Sequence, residues 1–590
     1  MQARGWDTYD FLLITGDAYV DHPSFAMAVI GRVLEDRGYR VCIAAQPPYQ
    51  TPGALEDIGR PRLGVLISGG NLDSMVAHYT AAKRPRRDDA YTPGGKAGKR
   101  PDRATIVYAN LAKSAFPGVP VIIGGLEASL RRFAHYDYWS NKVRRGILFD
   151  AKADLLIYGM GETAICDVAD RLNSGTPIHE ICDIRGTAYI TKDVSSCVFP
   201  MVACAGYDDV AKNKAAYATA TKMQWDEHDP VRGKATLQPH GDRTLVVNPP
   251  AHPLDDPALD RVYDLPYTRE IHPSYDAHVS AIDEVRFSVI HNRGCFGSCS
   301  FCALGFHQGR VVTARSHASI LREVEGFVRH PLFKGYVHDV GGPTANFRRA
   351  ACKHQAKRGS CKHRNCLTPD PCGELDADHT DYLKLLRKIR MIPGVKRVFI
   401  RSGIRFDFLL ADTNGECFAE IVHYHVSGQL KVAPEHMVDR VLDVMQKPRY
   451  AVFERFSEKF RRLNQKYGKE QYLVPYLMSS HPGSTLEDAI ALAQMLHKQG
   501  KHPEQVQDFY PTPGTISTAM YHTGLDPFSG RPVYVAREER ERAMQRALLQ
   551  WRNPEKQHLI LAALRQAGRE DLIGFSKHCL VKPQKRAPRK

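Results

Sequence analysis

The chain has 590 residues, 43% of them hydrophobic and 25% charged, and a net charge of +16 at pH 7. That length predicts two or three domains with ample core, and the ordinary apolar share excludes a low-complexity chain. The start is too polar for a signal peptide, and no run reaches the roughly 18 apolar residues of a membrane span, so the expectation is a soluble, cytoplasmic protein with no membrane partner. Its 14 cysteines then read as metal ligands or free thiols rather than disulfides. The basic excess, with Lys582, Lys585, Arg586, Arg589 and Lys590 in the tail, reads as a solvated surface with a disordered end. A nucleic-acid partner is the second reading.

In chain order, the first 170 residues alternate strand and helix patterns. The run 10–15 is a buried strand ended by Gly16. His22, Pro23, Ser24 and Phe25 open an amphipathic helix to about Arg37, with Pro23 in its first turn. Strand runs follow at 39–44, 63–68, 120–124 and 154–158, the last three ending in glycine turns at 69–70, 124–125 and 159–161. Such alternation predicts a doubly wound, Rossmann-like α/β domain over 1–205, with ligands outside the carboxyl ends of its strands. The stretch 83–103 is rich in Pro, Gly and charge. It is expected to pack no core and to be either a flexible insertion or a cover over a ligand. Residues 206–280 are Pro-rich and read as a bridge. From 281 to 535 strand runs recur at 285–290, 336–340, 397–400, 429–432, 472–477 and 505–509. These units predict a partial (β/α)6 TIM-type barrel with its chemistry on the loops after strands. Residues 538–566 read as a charged helical stretch within a C-terminal segment, 536–590.

The loop after the first barrel run holds Cys295, Cys299 and Cys302 at C-x3-C-x2-C. A four-iron cluster takes one cysteine per iron. Three thiolates leave one iron open to a small molecule. Structural zinc sites instead pair two knuckles with four ligands, and this loop lacks the second. A separate group, Cys352, Cys361, Cys366 and Cys372, falls where chance would place roughly half a cysteine. Soft thiolates select zinc or iron–sulfur centres. An auxiliary cluster and a zinc site, the latter with His354 or His363 as further ligands, both remain open.

The three-cysteine loop resembles the signature of the radical S-adenosylmethionine (SAM) enzymes. The resemblance implies a [4Fe–4S] cluster whose open iron is chelated by SAM, and reductive cleavage of SAM to a 5′-deoxyadenosyl radical. Phe301 fits the position whose ring lies near the adenine. Gly341 and Gly342 stand where the superfamily holds the SAM amine, with Pro343 replacing its usual Glu. Arg401 and Ser402 suit the SAM carboxylate or ribose, and Glu435 adds a polar group at the barrel mouth. The phrases at 89–95, 125–132, 134–139, 431–436 and 508–515 resemble the YgiQ-type radical SAM family over nearly the whole chain. That family has a cobalamin-domain-like N-terminal region, but the D-x-H-x-x-G loop of such domains is altered here. His22 is kept and the Asp and Gly positions differ, so cobalamin stays open. The implied function is a radical SAM enzyme acting on an unidentified substrate, RNA or a small molecule, with an electron donor such as flavodoxin or ferredoxin. The alternatives are a cobalamin-dependent radical methyltransferase and a non-enzymatic iron–sulfur or nucleic-acid-binding protein. In an enzyme of this build both carboxyl edges must face one cavity. His22, Gly69, Gly70, Gly124, Gly125, Glu127, Gly159 and Glu162 are expected on one side, and Cys295, Gly341, Arg401 and Glu435 on the other.

Overall fold

A computed structural model describes residues 4–51, 53–503 and 506–583. Residues 584–590 of the basic tail and Gln505 of the last predicted strand lie outside the described residues.

The strand Phe11–Thr15 is buried along its whole length. It pairs in parallel with Val41–Ala45 on one side and Gly64–Ser68 on the other. Val121–Gly124 and Leu155–Ile157 extend the parallel series. Side chains alternate between two cores, as a pleated strand requires. Leu12, Ile14, Val65, Ile67, Val121 and Ile123 enter one cluster. Phe11, Leu13, Leu66, Ile122, Leu155 and Ile157 enter the other. With both faces covered, the strands read as continuous apolar runs.

The sheet does not end at residue 205. Its nine strands include Thr187–Thr191, Met201–Ala203, Ala235–His240 and Arg243–Val247. The last two come from the stretch read as a bridge, and they form an antiparallel hairpin. Pro239 masks the strand in the sequence. It is tolerated because Met201–Ala203 pairs only with 235–237, so no ladder bond is lost there.

Other boundaries also move. The first helix is Ala26–Asp36, not a helix from His22. A residue before proline is pushed toward extended backbone, and the His22 ring accepts the Ser24 N–H at 3.0 Å. Residues 281–285 are helical, and the first barrel strand is Ser288–Ile290. The charged stretch 83–103 is tied into the core. Arg100 is fully buried and pairs with Asp17 at 2.6 Å and Asp89 at 2.7 Å.

In the second half, Ser288–Ile290 pairs in parallel with Asp339–Gly341, and Tyr336–Val337 with Arg397–Val398. Ile400 N–H reaches His425 O at 3.1 Å. Gln429–Glu435, Tyr472–Ser479 and Val506–Asp508 continue the parallel series. This is a partial (β/α)6 barrel. The C-terminal helical stretch is broken at Asn553-Pro554 into Glu539–Leu549 and Gln557–Gln566. Both pack on Leu486–Lys498 through Ile490, Leu548 and Ile560. Among the described residues no helix is long and apolar enough to cross a membrane.

Replacing Arg100 by Met would strand two buried carboxylates. The expected loss is about 3–5 kcal/mol of stability, the usual cost of breaking a buried ion pair, read by denaturant unfolding. An unchanged midpoint would contradict the pairing.

Candidate functional site

The carboxyl ends of the sheet and the mouth of the barrel face one cavity of ≈ 930 Å³. That lies within the usual range of ligand pockets, about 300–1,000 Å³. Gly70, Gly124, Gly125, Gly159 and Glu162 line it from the sheet side. Gly341, Gly342, Pro343, Arg401 and Ser402 line it from the barrel. Met27, Ile30, Ile122 and Ile157 make the sheet side largely apolar.

Five expected residues, Gly69, Glu127, His22, Glu435 and Cys295, stand apart from this lining. Glu127 is buried and accepts the N–H groups of Ser74 at 2.8 Å and Thr105 at 2.9 Å, so it serves the ends of two helices. Gly69 gives Glu127 its space: a Cβ there would meet the Glu127 carboxylate at 2.7 Å. His22 is fully buried. Its Nδ1 accepts from Ser24, and its Nε2 lies 2.7 Å from Arg269 Nη1. Burial and the Arg269 charge hold it neutral, well below the usual histidine range. Glu435 has left-handed backbone (φ 69°). Burial raises its carboxyl, and Lys447 and Arg405 oppose that shift.

At the barrel mouth Asp339 organises the turn after the neighbouring strand. Its Oδ1 accepts from Arg401 N at 2.7 Å and Ser402 N at 3.1 Å, and its Oδ2 accepts the Ser402 hydroxyl. Burial raises this carboxyl, and those bonds act against the rise. Contact here is so close that a Cβ at Gly341 would overlap Ser402 Oγ, and one at Gly342 would overlap Asn292 Oδ1. Only glycine allows such an approach. Asn292 is buried, lines the cavity, and its Oδ1 has no hydrogen-bond partner.

The cysteine loop is closed at its neck by antiparallel pairing of Asn292–Arg293 with Thr313–Ala314. Cys295 N–H bonds Gly309 O at 3.1 Å, and Cys302 N–H bonds Cys299 O at 3.0 Å. Cys295 Sγ lies 3.6 Å from Thr344 Oγ1, one residue past the cavity-lining Pro343. Arg405 Nη1 donates to Cys299 Sγ at 3.1 Å. A Cβ at Gly297 would come 3.0 Å from that nitrogen and 3.3 Å from Cys295 Sγ. Arg405 is itself held by Asp407 at 2.7 Å, and its Nη2 is buried without a partner. Burial pushes the Cys295 thiol up, and pushes Cys302 to about 12, the neighbouring thiols adding to both. Those two thiols are therefore held neutral until a metal displaces their protons. Phe301 packs edge-on against His481 at 5.9 Å. Cys295 itself does not line the cavity, although Asn292, Arg293 and Leu304 around the loop do. Cys352, Cys361, Cys366 and Cys372 lie on the long loop after the Asp339–Gly341 strand, with Cys361 exposed. Among the described residues no group of three or more His, Cys, Asp or Glu side chains is gathered to hold one metal ion.

Asp339, Asn292 and Arg405 were missed in the sequence. Asp339 and Asn292 stand at strand ends beside the recognised motifs, which is a signal. Arg405 is 106 positions from Cys299 and leaves none.

Residues 1–288, which hold the nine-stranded sheet, match the family model described as Radical SAM N-terminal. The chain belongs to the UPF0313 family, the YgiQ-type family that its motifs resemble. It is 52% identical to a UPF0313 protein of Clostridium perfringens (strain 13 / Type A), over 99% of this chain and 88% of that one. It is 55% identical to one of Clostridium botulinum (strain Loch Maree / Type A3), over 98% and 90%. Residues 504–590 match a domain of unknown function, DUF3362. Among solved structures, the chain is similar to the radical SAM methyltransferase TsrM from Kitasatospora setae with cobalamin and a [4Fe–4S] cluster bound. The TM-score is 0.48 at 15% identity, over 86% of this chain and 77% of that one. It is also similar to the cobalamin-dependent SAM radical enzyme OxsB with aqua-cobalamin bound, with a TM-score of 0.46 at 10% identity, over 97% and 72%.

Gly342→Ala is expected to cost about 1–3 kcal/mol, the range for overpacking a close contact, measured by thermal unfolding. A parent-like melting temperature would contradict the Asn292 contact.

Proposed function

We propose that the chain is a radical SAM enzyme, with Cys295, Cys299 and Cys302 holding the cluster at the rim of the shared cavity. The observation that carries this reading is the docking of the three-cysteine loop onto the Gly341–Pro343 turn through Asn292 and Thr344. The residues fit such a group. The buried Arg405 donates to Cys299 Sγ through Nη1, and its Nη2 is a donor without a partner, suited to an anionic thiolate-bound centre. When bound, a [4Fe–4S] cluster supplies the electron that cleaves SAM into methionine and a 5′-deoxyadenosyl radical.

The protein's own residues divide the rest of the work. Arg405 offsets the thiolate charge and fixes Cys299. Gly341 and Gly342 bring backbone against the ligand, and the free Asn292 Oδ1 accepts from a ligand N–H. Asp339 positions the Arg401–Ser402 turn, so that Arg401 meets a carboxylate or ribose. Phe301 is held edge-on against His481. The apolar sheet side excludes water from a reactive radical and leaves room for the substrate, a small molecule or an extruded RNA base. An external one-electron donor of the flavodoxin or ferredoxin class completes the cycle.

A second reading, a cobalamin-dependent methyltransferase, is favoured by the size of the cavity and its apolar half against the glycine turns. His22 would not hold a corrin bound there, because its ring is fully buried against Ser24 and Arg269. A corrin absorption band in the purified protein would select this reading.

Cys299→Ala, reconstituted without oxygen, is expected to lose about four iron atoms and to release no 5′-deoxyadenosine after reduction. Release at the parent rate would refute the assignment.

A further inference from the structure

The function proposed above leaves a second set of thiols unused. The segment 351–376 closes on itself. Asp376 N–H donates to Ala351 O at 2.8 Å, Cys372 N–H to Cys366 O at 2.9 Å, and Leu375 N–H to Cys372 O at 2.9 Å. Gln355, buried at 4% exposure, ties the remaining pieces together. Its Oε1 accepts from Ala351 N at 2.8 Å, next to Cys352. Its Nε2 donates to Ser360 Oγ at 3.3 Å, next to Cys361, and to Arg310 O at 3.0 Å, at the end of the first cysteine loop. Asp229 holds Ser360 N–H at 2.6 Å from the other side.

All four cysteines are thus borne on segments fastened to one another, and all are free thiols. Cys366 and Cys295 flank the same apolar cluster of Phe296, Phe347 and Phe408. Phe296 and Phe347 are stacked at 3.8 Å within it. The two cysteine groups are therefore joined by contact with one apolar cluster.

We propose that Cys352, Cys361, Cys366 and Cys372 ligate a second iron–sulfur cluster beside the first. Four thiolates match four irons, closing this centre where the three-cysteine loop leaves one iron open. His354 faces Glu374 at 3.5 Å rather than joining the thiols.

The test uses the full chain, reconstituted without oxygen with iron and sulfide, in three forms: parent, Cys352/Cys361/Cys366/Cys372→Ala and Cys295/Cys299/Cys302→Ala. The parent is expected to hold about eight irons and each variant about four, with acid-labile sulfide to match. In electron paramagnetic resonance, only the variant that keeps the first loop should respond to SAM. Four irons in the triple variant would support the second centre even if the first loop proves to do no radical chemistry. Should the quadruple variant misfold, the exposed Cys361→Ala alone is expected to lose the SAM-insensitive signal with an unchanged circular dichroism spectrum. Parent-level iron in the quadruple variant, or one zinc per chain in place of the extra irons, would overturn the proposal.

Discussion

The buried ion pair between Glu162 and Arg293, 2.6 Å long, joins the two halves of the molecule at the place where both matter most. Glu162 opens the helix after the Leu155–Ile157 strand, where the positive end of the helix favours a carboxylate. Arg293 stands two residues before Cys295, at the neck of the cysteine loop. Both side chains are almost entirely buried, so removing either would leave an uncompensated charge. The pair therefore fixes the angle between the carboxyl edge of the sheet and the mouth of the barrel. His307 and Ser129, 3.0 Å apart, and Arg132 over the Phe306 ring brace the same junction.

Charge is used in a consistent way around this junction. Arg100, Arg131, Arg315 and Arg405 are buried, and each meets a carboxylate on another segment or a near neighbour. Such pairs are costly to bury, and their gain is uniqueness of arrangement rather than large net stability. Arg131 and Arg405 each keep one partner-free nitrogen, and Arg405 differs in donating to a thiol. The cavity beyond it is apolar toward the sheet and polar toward the barrel. That asymmetry suits a ligand with a charged amino-acid end held at the barrel and a reaction carried out in a drier space above it.

Much of this was legible in the sequence, for identifiable reasons. Continuous apolar runs such as 11–15 mark strands covered on both faces. The three-cysteine spacing and the Gly341–Gly342 turn are local, and local signals survive in a linear reading. The hairpin 235–247 was hidden by Pro239, acceptable only because the ladder ends before it. The 83–103 stretch reads as loose because the partners that bury Arg100 include Asp17, far away in the chain. His22 is the converse case: its loop partly resembles a ligand loop, while the residue that packs on its Nε2, Arg269, is nearly 250 residues on.

The central claim is that one cavity, rimmed by the three-cysteine loop, serves SAM and substrate together. Diffraction at the iron absorption edge from oxygen-free crystals grown with SAM would test it most directly. The account predicts anomalous density bonded to the sulfurs of Cys295, Cys299 and Cys302. It also places SAM between that density and Arg401, its amine near Asn292 Oδ1 and the Gly341–Gly342 backbone. Iron away from those sulfurs, or SAM bound outside the cavity, would contradict it.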